Sequence, residues 1–422
     1  MSKKLKVAFL GLSHLGIVSS ISLAAKKVEC LGLEQNEDKV SKLNAQEWTI
    51  KEPGLFEAFQ KAREFISFSS DLNHLAECDV VYISQDVPTD ENGESNLVAI
   101  ESLIIAAREK ISSRAIIVIL CQVPPGFTRR MSKLHRNIYY QVETLVFGDA
   151  FRRAAAPERI ILGALDVNSP LDYRMKSILS LFSCPIILMD FESAELTKIS
   201  INAFLASSVT TTNSLNEVAR SIGANWNSIK KALQLDSRIG SHAYLNPGLG
   251  LSGGNIERDL RTLVKLRRVA PEASKLFRFF LSESERQREW LSKTIVSEVL
   301  QENSKLMIGI LGISYKPNTH STKNAMSIDL CRKFPRNIAG VYDPQAVLPE
   351  EFSNITVFNS PIECIKASDA IVVASPWSEF AKLDFELLKR ENQRELKVID
   401  PYSIVEKRDR YNEIKLIRLS AE

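Results

Sequence analysis

Lys6-Val7-Ala8-Phe9-Leu10-Gly11-Leu12-Ser13-His14-Leu15-Gly16 is the stretch that decides the fold of this 422-residue chain. A short apolar run leads straight into a glycine and then into the first residues of a helical pattern, the order of a buried strand, a tight turn and a helix start. In that setting the turn brings a diphosphate close to the backbone N–H groups at the positive end of the helix. Glycine is the usual residue where Ser13 stands, so the added Cβ is expected to weaken phosphate approach without abolishing it. About twenty residues on, a second strand ends in Leu33-Glu34, which puts a carboxylate where the hydroxyls of an adenosine ribose would lie. An acid there selects NAD over NADP, because a 2′-phosphate would meet like charge. The plain alternative is a solvated glutamate after a purely structural turn.

Outward from this stretch, apolar strands alternate with helical segments to about residue 190, with further strands at 78–84, 115–121 and 185–189. Such alternation predicts a parallel sheet wrapped on both faces. From Ser193 to about Ser241 the apolar residues recur at three- and four-residue spacing, which predicts a long amphipathic helix. The strand-and-loop rhythm returns in 305–317, 338–344, 369–376 and 396–401. The fold expected is therefore α/β: two Rossmann-like doubly wound domains, 1–190 and 296–422, joined by a central helical domain, 191–295. With no low-complexity linker between them, the domains are expected to pack into one body with a cleft.

Composition narrows the function. With 45% hydrophobic and 25% charged residues the chain is globular. Its net charge of +3 is the remainder of 54 basic and 51 acidic residues, which gives no case for nucleic acid or an anionic membrane. Six scattered cysteines lack paired metal-ligand spacing, so they read as free thiols of a reducing, cytoplasmic compartment, and no metal is expected. The apolar run 7–12 is too short for a signal peptide, and no window reaches the roughly 18 apolar residues of a membrane span.

Several strings, in order along nearly the whole chain, resemble the UDP-glucose/GDP-mannose dehydrogenase family. They are Glu52-Pro53-Gly54-Leu55, Val87-Pro88-Thr89-Asp90, Val123-Pro124-Pro125-Gly126, Pro157-Glu158-Arg159-Ile160-Ile161-Leu162-Gly163, Arg238-Ile239-Gly240 and Tyr315-Lys316-Pro317-Asn318-Thr319. The resemblance implies an NAD-dependent oxidoreductase that acts on the C6 alcohol of a UDP- or GDP-linked sugar, supplies polysaccharide precursors and pairs as a homodimer through its central helix. It implies cofactor contacts at Gly11, Ser13, Gly16, Glu34, Lys39, Thr89, Gln122, Arg258 and Lys323. Substrate contacts are implied at Glu143, Lys198, Asn202, Arg238, Tyr244, Gly248 and Lys316. The catalytic set it implies is Glu143, Lys198, Asn202, Asp259 and the position of Asn255. Lys198 and Asn202 lie four residues apart, so one helical face carries both and both can address one developing oxyanion. Spacing alone would equally suit a solvated lysine and a capping asparagine, and Glu143 alone would suit a surface carboxylate.

The resemblance also breaks, and it breaks at the chemistry. Residues 248–259 resemble the family's glycine-rich catalytic loop, yet Asn255 stands where its nucleophilic cysteine belongs. A carboxamide has no lone pair to capture an aldehyde at neutral pH as a thiolate does. The covalent second oxidation is therefore expected to be absent. Gln122 replaces a threonine, His320-Ser321-Thr322-Lys323 replaces an acidic pair and an arginine, and Tyr402 lies in a segment where an arginine is usual. Cys121 adjoins Gln122, but neighbours on an extended segment point to opposite faces, so it reads as packing. His14 and His242, without a partner at readable spacing, read as loop or packing residues. A silent paralogue that only binds nucleotide sugar, or regulates an active relative, is the alternative.

Overall fold

The computed structural model describes residues 4–48, 50, 52–88, 95–388, 395–406 and 413–420. The chain divides into two compact units, Met1–Ile201 and Asn202–Glu422.

The first unit is built on an eight-stranded sheet. Its strands are β1 (Lys6–Leu10), β2 (Glu29–Leu33), β3 (Ile66–Ser69), β4 (Val80–Ile83), β5 (Ile116–Ile119), β6 (Ile138–Val142), β7 (Ile160–Ala164) and β8 (Ile186–Asp190), ordered β3-β2-β1-β4-β5-β6-β7-β8. Helices α1 (His14–Ala24), α2 (Glu37–Asn44), α3 (Leu55–Ala62), α4 (Val98–Lys110), α5 (Phe127–Met131), α6 (Ala150–Ala155) and α7 (Tyr173–Leu179) connect them. β4 and β5 are buried at every residue, as runs of Val and Ile must be when helices cover both faces. The chain leaves β1 toward β2 and β3 on one side and resumes at β4 on the other. This reversal between β1 and β4 is where doubly wound sheets open a ligand crevice.

The sheet is not wholly parallel. β6 and β7 pair antiparallel, with Tyr140 opposite Gly163 and Gln141 opposite Leu162. The expectation of a parallel sheet holds for every other pair in this unit.

Helix α8 (Phe191–Ser221) spans 31 residues, and the division between units falls within it. The single helix expected to about residue 241 stops earlier. Gly223 turns left-handed (φ 72°), and Asn225 accepts from the Ser228 N–H at 2.9 Å to cap a separate helix α9 (Trp226–Leu235). The second unit continues with α10 (Asn255–Lys265) and α11 (Pro271–Ile295).

Its sheet is five-stranded and parallel: β9 (Ile308–Leu311), β10 (Ile338–Tyr342), β11 (Ala370–Val373), β12 (Leu396–Asp400) and β13 (Ile414–Arg418), ordered β10-β9-β11-β12-β13. Helices α12 (Met326–Lys333), α13 (Pro361–Lys366) and α14 (Phe385–Leu388) lie between the strands. The turn after β9 repeats the design of the turn after β1. Gly312 is left-handed (φ 91°), and Asp343 at the end of β10 accepts from the N–H groups of Ile313 and Ser314 at 2.8 and 2.9 Å.

Candidate active site

In the first unit the site begins at the β1–β4 reversal. Gly11 is left-handed (φ 94°), and a Cβ there would sit 2.7 Å from the Gln85 side chain, so only glycine fits. A Cβ on Gly16 would lie 2.0 Å from the Gly11 carbonyl oxygen, which makes this glycine a condition of the close turn-to-helix contact. Ser13 has ordinary backbone angles (φ −67°, ψ −175°). Its hydroxyl donates to the Ser84 carbonyl at 3.0 Å and accepts from the Asp86 N–H at 2.9 Å, tying the turn to the end of β4. Serine at this position is accommodated without strain.

Glu34 follows β2 and accepts from the Leu12 N–H at 3.3 Å and from Lys39 Nζ at 3.1 Å. Its carboxylate is thus held at the mouth of the turn, with Lys39 beside it. No acidic residue occupies the first turn of α1, which leaves the helix end favourable to an anion. A left-handed glycine, a helix whose own first turn carries no acidic residue and a carboxylate at the end of β2 together fit a dinucleotide. Thr89 lies outside the described residues.

Gln122 follows β5, and the next segment is fixed from α8. Glu195, buried, accepts from the Gly126 N–H at 2.6 Å and the Thr128 N–H at 2.7 Å. One helical turn on, α8 carries Lys198. The ammonium of Lys198 acts electrostatically on Glu143, just beyond β6. Burial pushes the Glu143 carboxyl up, more than the Thr144 N–H and the charges of Lys198 and Arg153 pull it down. Glu143 lines a pocket together with Gln141, Thr144, Arg153, Arg159 and Phe182.

The second unit holds the other group. Asn202 donates to Asp259 at 2.5 Å, and both are buried. Arg258 Nε lies 3.4 Å from the second Asp259 oxygen. Asn255 is exposed and opens α10, directly after Gly253 and Gly254, both left-handed. Four residues separate it from Asp259, so the two share one helical face.

The loop bearing Lys316 packs on these glycines: a Cβ on Gly253 would meet the Tyr315 ring at 2.6 Å, and the Ser252 hydroxyl donates to the Tyr315 carbonyl at 3.4 Å. Lys316 Nζ sits over the Tyr315 ring, 5.7 Å from its centroid. A Cβ on Gly254 would lie 3.1 Å from Lys323 Cε. Burial, then the charge of Arg258, depresses the Lys323 ammonium. Gly248 donates to Asn213 Oδ1 at 2.9 Å and faces the Tyr402 ring.

Arg238 and Tyr244 both have exposed side chains. The Arg238 guanidinium, 87% exposed, pairs with Asp236 at 2.6 Å. The Tyr244 ring is exposed while its carbonyl accepts from Thr212 and Ser208. Among the described residues no cluster of three or more His, Cys, Asp or Glu could hold a metal.

Three family models match the chain in order: the UDP-glucose/GDP-mannose dehydrogenase NAD binding domain over 5–182, the central domain over 192–280 and the UDP binding domain over 309–408. The chain belongs to the UDP-glucose/GDP-mannose dehydrogenase family. It is an NAD-dependent oxidoreductase of the nucleotide-sugar dehydrogenase kind.

A UDP-glucose 6-dehydrogenase of Rickettsia bellii is 26% identical over 90% of this chain and 92% of its own length. The UDP-glucose 6-dehydrogenase of Drosophila melanogaster is 25% identical over 95% and 93%. Among solved structures, a UDP-glucose dehydrogenase from Pyrobaculum islandicum superposes with a TM-score of 0.83, at 23% identity over 100% and 99% of the two chains. A UDP-D-ManNAc dehydrogenase from Pyrococcus horikoshii gives 0.83 at 20% identity over 98% and 99%. Both superpositions show the family's fold.

Two anchors were not visible as such in the sequence. Glu195 caps α5 across 69 residues. His14, read as a loop or packing residue, hydrogen-bonds Glu52 at 2.8 Å.

Proposed function

We propose that this member of the family oxidises an alcohol carbon of a UDP- or GDP-linked sugar and stops short of the covalent second oxidation. NAD, held at the β1–β4 turn by Gly11, Gly16 and Glu34, would supply the hydride acceptor. Glu143, whose carboxyl holds its proton above the usual carboxylate range, serves as the acid–base group beside the substrate. Lys198 and Asn202, one turn apart on α8, donate to the developing oxyanion, and Asp259 fixes the Asn202 amide.

The observation that carries this reading is Asn255 at the start of α10. That is where a helix end would activate a thiolate, and it holds a carboxamide instead. Cys121, the thiol beside Gln122, is buried, and burial pushes Cys78 and Cys331 up to about 11 and Cys364 up to about 12.

A homodimer is supported by one apolar stripe along α8, where Phe204, Leu215 and Val218, followed by Ile222 just past its end, are all exposed at helical spacing. No helix among the described residues is long and apolar enough to cross a membrane, and a cytoplasmic site of action is part of the proposal.

The test is a stoichiometry. Purified protein is incubated with NAD and a panel of UDP-, GDP- and CDP-sugars, beside Asn255→Cys. One NADH per sugar consumed is expected from the unmodified chain and two from the variant. No NADH from either protein with any sugar, together with tight sugar-nucleotide binding, would favour a silent binding or regulatory paralogue.

A further inference from the structure

The Glu52 side chain, only 2% exposed, is held from three directions. His14 Nε2 lies 2.8 Å from Oε1, the Gly148 N–H donates to the same oxygen at 2.9 Å, and the Ala150 N–H donates to Oε2 at 3.1 Å. The His14 ring also packs on Phe147, with centroids 4.4 Å apart. His14 is the first residue of α1 and so part of the dinucleotide turn. Phe147 and Gly148 belong to the segment that joins β6 to α6, Ala150 opens α6, and the other end of that segment carries Glu143. That end is held by Arg153, which donates to the Thr144 carbonyl at 2.9 Å. A single carboxylate therefore ties the place where the cofactor's diphosphate would rest to the segment that bears the substrate-side acid.

We infer that His14 and Glu52 are a positioning pair that transmits cofactor occupancy to residues 144–150, so that dinucleotide binding orders the segment carrying Glu143. The consequence for catalysis rests on the role proposed above for Glu143; the coupling itself does not. A diphosphate at the start of α1 would fix the turn that carries His14, and with it the imidazole that faces Glu52. The hydrogen bond to Glu52 would then be held in one geometry. Glu52 in turn grips the N–H groups of Gly148 and Ala150. Cofactor-bound and cofactor-free protein would thus differ in how firmly this chain of contacts is held, which coupling between sites requires.

Hydrogen–deuterium exchange on the full chain, with and without saturating NADH, reads this directly, alongside a fluorescence titration of NADH. In the unmodified protein NADH is expected to slow exchange both at 11–16 and at 144–150, the latter by about tenfold, within the usual range of inter-site coupling. His14→Phe keeps a ring on Phe147 and loses the hydrogen bond. It is expected to retain protection at 11–16, to lose it at 144–150, and to bind NADH more weakly by the same factor, as reciprocity demands. Glu52→Gln, near-isosteric, is expected to do likewise. Protection confined to 11–16 in the unmodified protein, or undiminished at 144–150 in His14→Phe, overturns the coupling and leaves the dehydrogenase reading standing. No NADH binding at all overturns both.

Discussion

Asn202 of α8 and Asp259 of α10, 57 residues apart in sequence, meet in a buried hydrogen bond of 2.5 Å. The bond orients the amide that is to face the substrate oxygen and makes Asp259 a positioning residue in the proposed chemistry. Asp259→Ala removes the acceptor inside a buried site, at a cost of about 1–3 kcal/mol for the stranded donor. Asp259→Asn can turn its oxygen to Asn202 and is expected to cost less stability and to keep more of the turnover than Asp259→Ala. Denaturant midpoints and initial rates on the two variants check this; equal destabilisation by both would sink it.

Ser13 and Gly11 should respond in opposite ways to exchange. Ser13→Gly removes the bonds to Ser84 and Asp86 and gains no room the turn lacks, so it is expected to lose about 1 kcal/mol and to leave NADH affinity unimproved. Gly11→Ala meets both a left-handed backbone and the Gln85 side chain and is expected to be the more damaging change by far. Thermal unfolding with NADH titration separates them. A tighter-binding Ser13→Gly would show that the serine does obstruct phosphate.

Continuous apolar runs such as Ile116–Ile119 announced themselves in the sequence because both faces of their sheet are covered. β3 and β6 did not: Ile66–Ser69 is short and half serine, and Ile138–Val142 alternates buried and half-buried residues with a glutamine on the wetter face. The antiparallel turn of β6 onto β7 leaves no local mark at all. Gly11, Gly16, Glu34 and Asp259 were legible because each is fixed by a short motif. The His14–Glu52 bond spans 38 residues and the Glu195–Thr128 bond 67, and no periodicity encodes a pairing that only the folded chain creates.

Glu52 also sets an expectation for acid stability. Burial pushes its carboxyl up, but the bond and charge of His14 and the N–H groups of Gly148 and Ala150 together outweigh burial and hold it below the usual carboxylate value. A carboxyl lower in the folded than in the unfolded chain lends stability that is complete above the unfolded value and lost as pH falls through the folded one. Urea midpoints taken from pH 7 downward should therefore fall less steeply in Glu52→Gln than in the unmodified protein. Parallel curves would remove Glu52 from the account.

Glu143 is shifted the other way. With burial raising its carboxyl, the acid limb of the kcat/KM profile is expected to lie above the ordinary carboxylate range if ionised Glu143 accepts the substrate proton. Glu143→Gln should abolish that limb along with most of the rate. Retention of the limb in the variant would assign it to another group.

The apolar stripe on α8 offers a last check. Phe204 is 80% exposed and Ile222 74%, with Leu215 and Val218 between them on a helix whose 31 residues give a span of about 46 Å. Single exposed apolar residues are ordinary, but four at helical spacing form a surface that a second copy of the chain would cover with a matching stripe. Phe204→Glu combined with Val218→Glu places charges in that surface and leaves the described core untouched. Sedimentation is expected to show a dimer for the unmodified protein and a folded monomer for the double variant. A monomer in both cases would leave the stripe without a partner of its own kind.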